Sequence, residues 1–335
     1  MEESIMLHWG ILSTGTIAKK FAGTVNQMRG QSVLTAVASR NPETASAFAK
    51  DYGIPHAYGS YEQLYSDPNV DVIYIATPNQ LHSENIMQCI AHHKHILCEK
   101  PLATDADTAA RLFEAAAKEG VFLMEGMWIA HLPLLAKMRQ LIDEGTIGQV
   151  RYLRADYGFI AQGARRTRKF RADLGGGALL DVGVYNLAFS RMVMGGDPVS
   201  VQSHASFTEL GTDDLSVMQL WFSQGRAAVL TAAIGIAMPT EGVIYGDKGS
   251  IRFPNYQQAE RMTVAVLGQQ PYTVEMPFAY GGFEYQIRET ERCLAHGELT
   301  SPAMAPEDTI AVLRLTDQAR REWGMRFPFE KGISH

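Results

Sequence analysis

The sequence predicts an α/β protein of two domains. An N-terminal doubly wound parallel sheet is expected over residues 1–126, and a C-terminal α+β domain with a large, mostly antiparallel open sheet over residues 127–335. Three observations predict this architecture. The chain has 335 residues, about twice the length of a typical domain. Short β-rich runs alternate with helical segments in the first part, and many short strands follow one another in the second.

The first domain is predicted, in chain order, from repeated strand and helix pairs. The β-rich runs are IMLHWGIL, VLTAVAS, DVIYIA, HILCE and VFLME. The helical patterns between them are an amphipathic stretch from Thr16, PETASAFAKDYG, SENIMQCIAHH and TDADTAARLFEAAAKEG. Because a helix between two strands makes a crossover connection, the strands run parallel. Such a sheet binds its ligand beyond the carboxyl ends of its strands, so the segments after each strand are the candidate site.

The second domain has a different pattern, which begins near residue 148. Its β-rich runs are VRYLRADYGF, LSVMQLWF, AAVLTAAIGI, EGVIYG, SIRF and MTVAVL. Gly, Pro, Asp or Asn residues separate these runs and few helices intervene, which indicates an antiparallel or mixed sheet. Two helices, over roughly residues 280–296 and 306–323, are expected to close the chain.

Composition excludes several classes of protein. Hydrophobic residues make up 46% and charged residues 20% of the chain, which excludes collagen-like, disordered and coiled-coil proteins. With 30 Lys and Arg against 36 Asp and Glu, the chain offers no general attraction to nucleic acid or to an anionic membrane. The apolar stretches are short, and residues 1–10 open with two acids where a signal peptide carries basic residues. A cytoplasmic location is therefore expected.

Neither a metal site nor a disulfide framework is expected. The cysteines, Cys89, Cys98 and Cys293, are odd in number and too far apart for a zinc-ligand pair, so we interpret them as reduced core residues. The histidines of the segment 92–95, which are His92, His93 and His95, resemble a metal cluster in composition but have no nearby carboxylate ligand. We interpret them as surface or strand-edge residues.

The turn after the first strand predicts a dinucleotide site. The run Ser13-Thr14-Gly15-Thr16-Ile17-Ala18 fits the pattern G-x-G-x-x-A with serine in the first glycine position. It lies directly between a β-run and an amphipathic helix, where backbone N–H groups and the helix dipole can hold a pyrophosphate. Gly15 lets the backbone approach the phosphates. Taken alone, this segment also fits an ordinary strand-to-helix turn.

The end of the second strand indicates which dinucleotide is preferred. NAD enzymes usually place an acid there to bind the ribose 2′-hydroxyl, whereas Ala38-Ser39-Arg40-Asn41 has no carboxylate. Arg40 can pair with a 2′-phosphate bidentately while Ser39 donates a further hydrogen bond. NADP is therefore expected in preference to NAD. The alternative for Arg40 is a solvated loop arginine.

Two further segments follow predicted strands. The run Ala76-Thr77-Pro78-Asn79-Gln80-Leu81-His82 follows DVIYIA, and Glu99-Lys100-Pro101 follows HILC. TPNxxH followed by EKPLA resembles the Gfo/Idh/MocA family of NAD(P)-dependent oxidoreductases, and the similarity extends over most of the chain. The resemblance implies a Rossmann fold for the first domain. It also implies that Lys100 reaches the nicotinamide ribose and the reacting centre, and that Glu99 contacts the cofactor near its nicotinamide end. Without the resemblance, Glu99 and Lys100 before a proline are more typical of a loop salt bridge.

The cofactor-binding prediction combines these segments. The residues are Ser13, Thr14, Gly15, Thr16, Ile17, Ser39, Arg40, Ala76, Thr77, Asn79, His82, Glu99 and Lys100.

A glycine-rich segment in the second domain supplies the predicted catalytic residues beside Lys100. Residues 175–185 read GGGALLDVGVY, and the part after the glycines fits a helix that presents Asp181 and Tyr185 on one face. Most relatives carry histidine in the place of Tyr185. The tyrosine, like the serine in the glycine fingerprint, is similar to the branch of dimeric dihydrodiol dehydrogenases and NADP-dependent pentose and hexose dehydrogenases. The alternative for Tyr185 is a core tyrosine with a hydrogen-bonded hydroxyl.

Two more residues are predicted near the substrate. Trp128, after the last strand of the first domain, is expected to wall the nicotinamide or substrate pocket, and Arg171 is the favoured member of the basic run 165–171. A solvated loop is the alternative for that run. Relatives usually carry arginine in the place of Ala130, so the substrate contact made by that arginine elsewhere is in doubt here.

These residues together predict an NADP-dependent oxidoreductase that acts on a sugar, polyol or cyclic diol. Hydride transfer from a carbinol carbon requires a base for the hydroxyl proton, and Tyr185 is the candidate. Its reference pKa of about 10 is high for this role, so a cation such as Lys100 is expected to favour the phenolate. Asp181 is expected to orient the substrate by accepting a hydrogen bond. A catalytically inactive NAD(P)-binding regulator and an NAD-dependent glycosidase are the alternatives.

A homodimer is expected. The strands between residues 148 and 276 form a broad sheet, and if helices cover only one of its faces the other needs a partner. In relatives that face commonly packs against a second copy, so a sheet-to-sheet dimer of the second domain is predicted.

Overall fold

Two compact units make up the protein in a computed structural model that describes residues 6–28, 30, 32–163 and 168–330. The first unit comprises the chain up to Ala103 together with Asp107–Trp128 and Ala279–Thr309. The second comprises Thr104–Ala106, Ile129–Phe278 and the chain from Ile310 onward. The sequence assigned residues 279–309 to the second domain, but in the structure they pack with the first unit.

A six-stranded parallel sheet forms the core of the first unit, in the order β3-β2-β1-β4-β5-β6. Its strands are β1 (Leu7–Leu12), β2 (Ser32–Ala38), β3 (His56–Tyr58), β4 (Val72–Ile75), β5 (His95–Glu99) and β6 (Leu123–Gly126). The connecting helices are α1 (Thr16–Met28), α2 (Pro42–Tyr52), α3 (Tyr61–Tyr65), α4 (His82–Ala91) and α5 (Ala106–Lys118). The strand order reverses between β1 and β4, which confirms the predicted doubly wound sheet.

Aromatic packing holds helix α1 against this sheet. Phe21 of α1 stacks on Tyr74 of β4, with ring centroids 3.9 Å apart, and meets the ring of Trp9 in β1 edge to face at 5.1 Å. The indole N–H of Trp9 donates to Ser32 Oγ at 2.8 Å. These contacts fix the start of α1 beside the carboxyl ends of β1 and β4, where the predicted cofactor residues lie.

A nine-stranded sheet forms the second unit, in the order β15-β14-β13-β12-β7-β10-β9-β8, with β11 also paired to β7. Its strands are β7 (Val150–Ile160), β8 (Ser200–Phe207), β9 (Asp213–Trp221), β10 (Ala227–Ala233), β11 (Gly235–Met238), β12 (Gly242–Gly246), β13 (Gly249–Phe253), β14 (Arg261–Val266) and β15 (Tyr272–Glu275). The pairing of β10 with β7 is parallel, and the other strand pairs of this sheet are antiparallel. The predicted mostly antiparallel sheet is confirmed.

The remaining helices of note are α6 (Pro133–Asp143), α7 (Val184–Met194), α8 (Glu284–Ala295) and α9 (Pro306–Glu322). Helix α7 packs on β7 and β10. An apolar cluster lies beside its start and consists of Phe170, Ala178, Val182, Ala232 and Ile234, with Tyr157 and Phe159 packed against it. The glycine-rich segment therefore packs on an apolar cluster.

Among the described residues, no helix combines the length and apolar character needed to cross a membrane. The same residues contain no group of three or more His, Cys, Asp or Glu side chains arranged to hold a metal ion. Cys89, Cys98 and Cys293 are buried and free. The cytoplasmic location stays a prediction.

Candidate active site

The turn between β1 and α1 has the geometry of a phosphate cradle. Ser13, which occupies the first glycine position, has a left-handed φ of 98°, a conformation that favours glycine, and its N–H donates to Ala38 O at 2.9 Å. A Cβ at Gly15 would meet only Ser13 Oγ, at 3.8 Å, so it would project into open space. Helix α1 begins at Thr16 with no acidic residue in its first turn. The turn fits a pyrophosphate held by backbone N–H groups.

Hydroxyl groups and one arginine surround the end of β2. Ser39 Oγ lies 2.8 Å from Thr44 Oγ1 and accepts the Asn41 N–H at 3.3 Å. Arg40 is exposed, and its guanidinium hydrogen-bonds to Tyr61. Burial raises the pKa of Tyr61, and Arg40 opposes that shift. Thr44, a position that the sequence pattern did not indicate, adds a third polar side chain to the predicted 2′-phosphate site.

His82 links the two loops that follow β4 and β5. Its ring is fully buried, with Nδ1 2.8 Å from Pro101 O and Nε2 2.9 Å from Thr77 O. Burial lowers the pKa of this imidazole, while the two carbonyls raise it. Thr77 Oγ1 accepts a further hydrogen bond from Asn85 at 2.8 Å. Both contacts of His82 are with the backbone, so the role that the geometry supports is to brace the predicted cofactor loops; direct cofactor contact stays a prediction.

Glu99 is a buried carboxylate at the carboxyl end of β5. Tyr74 Oη donates to Glu99 Oε1 at 2.5 Å. Burial raises the pKa of Glu99, whereas Tyr74, Lys100 and Lys20 lower it. The neighbouring Lys100 is half-buried. The pair is thus a carboxylate under the surface and a more accessible cation, as expected of residues placed near a cofactor.

Trp128 is packed under a lysine. The Lys20 Nζ lies 4.0 Å from the centroid of the Trp128 ring and 4.3 Å from that of Phe283. Burial lowers the pKa of Lys20, while Glu99 and Glu284 raise it. Trp128 is only 2% exposed. Its predicted role as a pocket wall stays a prediction.

The segment that carries Asp181 and Tyr185 is not a simple α-helix. Leu179–Gly183 forms a π-helical turn, and α7 begins at Val184. The Asp181 N–H donates to Gly177 O at 3.1 Å. The sequence predicted a regular helix here; the wider turn keeps residues four apart on roughly the same side, and π-turns are frequent at functional sites.

Lys169 is the basic residue that contacts this segment. It forms an ion pair with Asp181, and its Nζ lies 5.1 Å from the centroid of the Phe159 ring. Tyr185 packs its ring against Tyr157 at 5.8 Å. The carboxylate, the ammonium group and the phenol therefore lie along one short stretch of the second unit. Such an arrangement can bind a polyhydroxylated substrate and exchange a proton with it.

Arg171, another member of the basic run, pairs within its own loop, and its predicted contact with the substrate stays a prediction. Arg171, the favoured candidate, is exposed and forms a two-pronged ion pair with Asp173, two residues further on. Arg165 and Arg166 lie outside the described residues. Lys169 was missed because its partner is twelve residues away in sequence, across a glycine turn.

Two family descriptions match this chain. "Oxidoreductase family, NAD-binding Rossmann fold" matches residues 7–127, and "GFO/IDH/MocA C-terminal domain" matches residues 135–252. Trans-1,2-dihydrobenzene-1,2-diol dehydrogenase of Xenopus laevis is 36% identical over 329 residues, which are 96% of this chain and 99% of that protein. The human protein of the same name is 31% identical and covers 97% of this chain and 99% of its own length.

A solved structure is also similar over nearly the whole chain. The aldose-aldose oxidoreductase of Caulobacter crescentus, complexed with glycerol, has a TM-score of 0.84 and 27% identity, and the match covers 94% of this chain and 96% of that one.

Proposed function

The chain belongs to the Gfo/Idh/MocA family of oxidoreductases, and on that premise we propose that it is an NADP-preferring dehydrogenase of a vicinal diol or sugar. The observation that carries the proposal is the Lys169–Asp181 ion pair with Tyr185 four residues along the same segment. The dihydrodiol dehydrogenases at up to 36% identity support a diol substrate. The aldose-aldose oxidoreductase supports a sugar as the second possibility within the same chemistry.

Residues of the first unit would hold the cofactor. The N–H groups around Gly15 and the start of α1 would bind the pyrophosphate, and Ser39, Arg40 and Thr44 would bind the 2′-phosphate. Glu99 and Lys100 would lie at the nicotinamide end, as the family resemblance implies. A nicotinamide supplies hydride transfer when it is bound.

Residues of the second unit would bind the substrate and take its proton. Asp181 would accept a hydrogen bond from one substrate hydroxyl while its ion pair with Lys169 orients the carboxylate. Tyr185 Oη would take the proton of the hydroxyl on the reacting carbon, and Tyr157 would limit the rotation of the phenol by packing on its ring.

A substrate panel tests the proposal. Trans-dihydrodiols, aldoses and polyols would be assayed with NADP and with NAD by the absorbance of the reduced nicotinamide, for the wild type and for Tyr185→Phe. Turnover of a diol or sugar that the variant loses is the expected result. Absence of turnover with every compound and both cofactors would contradict the proposal.

We also propose a homodimer formed by the open face of the nine-stranded sheet. Trp221, Ala227, Tyr152 and Tyr245 lie in register across β9, β10, β7 and β12, so their side chains form one row on one face. Trp221 and Tyr245 are 48% and 41% exposed. A row of exposed aromatic side chains on a broad sheet supports burial against a second copy.

A further inference from the structure

Asp213 is a buried carboxylate at the start of β9 that touches the catalytic segment. It has no exposed surface, and its Oδ2 accepts the Leu179 N–H at 2.7 Å. Leu179 is the first residue of the π-helical turn that carries Asp181. The other oxygen, Oδ1, has no hydrogen-bond partner among the described residues. Burying a carboxylate with one oxygen unpaired costs stability, so its place in the fold calls for a reason.

Gly177 explains where that second oxygen lies. A Cβ at Gly177, whose φ is 124°, would come 2.2 Å from Asp213 Oδ1, so the carboxylate occupies the space that a side chain would need. The Gly177 N–H donates to Lys169 O at 2.9 Å, and Gly177 O accepts the Asp181 N–H. Gly177 therefore ties the backbones of the ion-paired residues together, and Asp213 packs directly on it.

The residue before Asp213 holds the other side of the same loop. Thr212 is fully buried, and its Oγ1 donates to Phe170 O at 3.0 Å. Phe170 follows Lys169 in the chain. Thr212 and Asp213 together fasten the loop from Lys169 to Leu179 at both of its ends.

We propose that Asp213 is a positioning residue of the active site: by fixing Leu179 and Gly177 it sets the direction of Asp181 and Tyr185 and keeps Lys169 opposite Asp181. It acts through these residues and does not contact the substrate. The inference rests on the proposed function of Asp181 and Tyr185.

The charges around Asp213 make its hydrogen bond with Leu179 sensitive to pH. Burial raises the pKa of Asp213 to about 7, and Asp214 on the same strand adds to that shift. The Leu179 N–H, the backbone N–H of Asp213 itself and Arg320 of α9 lower the pKa. Gly177 has no side chain, and Leu179 presents its backbone N–H to Asp213. Because an ionised acceptor forms the stronger hydrogen bond, protonation below about pH 7 weakens the hold on Leu179.

The test uses Asp213→Ala and Asp213→Asn, with Asp214→Asn as the matched control. Asp214 lies on the same strand and bonds Ser206, not Leu179. Asp213→Ala should lower kcat about tenfold or more and leave the Kd for NADP unchanged, because a misdirected acid/base group slows the chemical step. In a Tyr185→Phe background the same substitution should have little further effect on kcat. Asp213→Asn, which keeps an oxygen acceptor, should retain much of the wild-type kcat that Asp213→Ala loses. It should also abolish the pH dependence of kcat near pH 7.

Amide hydrogen exchange gives a readout that does not depend on turnover. Asp213→Ala should speed exchange in residues 176–186 and leave that of β1 and α1 unchanged. If the wild type turns over no substrate, the proposed function fails while this readout still tests the positioning role. The inference is overturned if exchange in residues 176–186 is unchanged, if the kcat loss is equally large in the Tyr185→Phe background, or if Asp214→Asn gives the same result. If the alanine variant does not fold, the pH profile of Asp213→Asn decides, and an unchanged profile overturns the inference.

Discussion

Replacing Arg40 by aspartate should weaken the binding of NADP far more than that of NAD. Arg40 is exposed after the end of β2 and directly follows Ser39, whose hydroxyl lies 2.8 Å from that of Thr44. These groups are suited to the 2′-phosphate, which NAD lacks. The carboxylate of the variant would repel that phosphate and could instead accept a hydrogen bond from the 2′-hydroxyl of NAD.

The expected size of the effect follows from exposure and charge. A hydrogen bond to a charged group contributes about 1.5–3 kcal/mol, and the exposed position of Arg40 favours the lower end of that range. Two like charges about 4 Å apart in water repel by about 1 kcal/mol. The sum, about 2.5 kcal/mol, corresponds to a loss of about 70-fold in the affinity for NADP.

The assay is titration of NADPH and NADH fluorescence with the wild type and Arg40→Asp, at two salt concentrations. Arg111→Asp is the matched control, because Arg111 is another exposed arginine of the first unit and donates a hydrogen bond to its neighbour Thr108. Arg111→Asp changes the net charge of the protein by the same amount as Arg40→Asp. An equal loss for both cofactors, or the same loss in Arg111→Asp, would show that Arg40 does not bind the 2′-phosphate.

Four further outcomes are expected. Tyr185→Phe should lower kcat by about 10²–10⁴ and preserve NADP affinity, and near wild-type turnover in a stopped-flow assay would remove Tyr185 from the reaction. Lys169→Met should raise the substrate KM about tenfold or more, because a largely buried Asp181 loses its partner, whereas Lys169→Arg should retain most binding; an unchanged KM in Lys169→Met would refute the role of the pair. Since the pKa of Asp213 rises from 3.8 to about 7 on folding, its ionisation destabilises the protein as the pH rises through this range. Urea unfolding should therefore show that the free energy of unfolding of the wild type falls by about 4 kcal/mol relative to that of Asp213→Asn between these two pH values. If the free energies of unfolding of the two proteins changed in parallel with pH, the burial of the charge would be contradicted. Light scattering should give twice the monomer mass for the wild type and the monomer mass for Trp221→Glu, and a monomeric wild type would refute the sheet-to-sheet dimer.

Strand and helix periodicity predicted most of the fold. The alternation of β-rich runs and helices revealed five of the six strands in the first sheet, because each run is buried and apolar. The missing strand, His56–Tyr58, has only three residues and is largely exposed, so it has neither the length nor the burial that a pattern requires. The packing of residues 279–309 with the first unit was also missed, because periodicity identifies a helix and not the sheet that it covers.

Sequence reasoning found candidate site residues where position along the chain is enough to identify them. Gly15 and Arg40 follow strands β1 and β2, and the ends of parallel strands share one edge of the sheet. Lys169 could not be chosen over Arg171 because the choice depends on the path of a glycine turn. That path folds Lys169 back onto Asp181 and leaves Arg171 in an exposed pair.

Buried carboxylates support the loops of candidate site residues in both units. In the first unit, Glu125 accepts hydrogen bonds from the Leu102 N–H at 3.0 Å and from the Thr309 hydroxyl at 2.8 Å. Leu102 lies two residues after Lys100. In the second unit, Asp213 accepts a hydrogen bond from the N–H of Leu179, which lies two residues before Asp181. Burial raises the pKa of both acids, so the ionisation of either one lowers the stability of the folded protein. Each also gives a loop beside a candidate site residue a fixed hydrogen-bond acceptor within the core. Since a precisely placed side chain requires fixed hydrogen-bond partners beneath its loop, these acids are better explained by the placement of Lys100 and Asp181 than by stability.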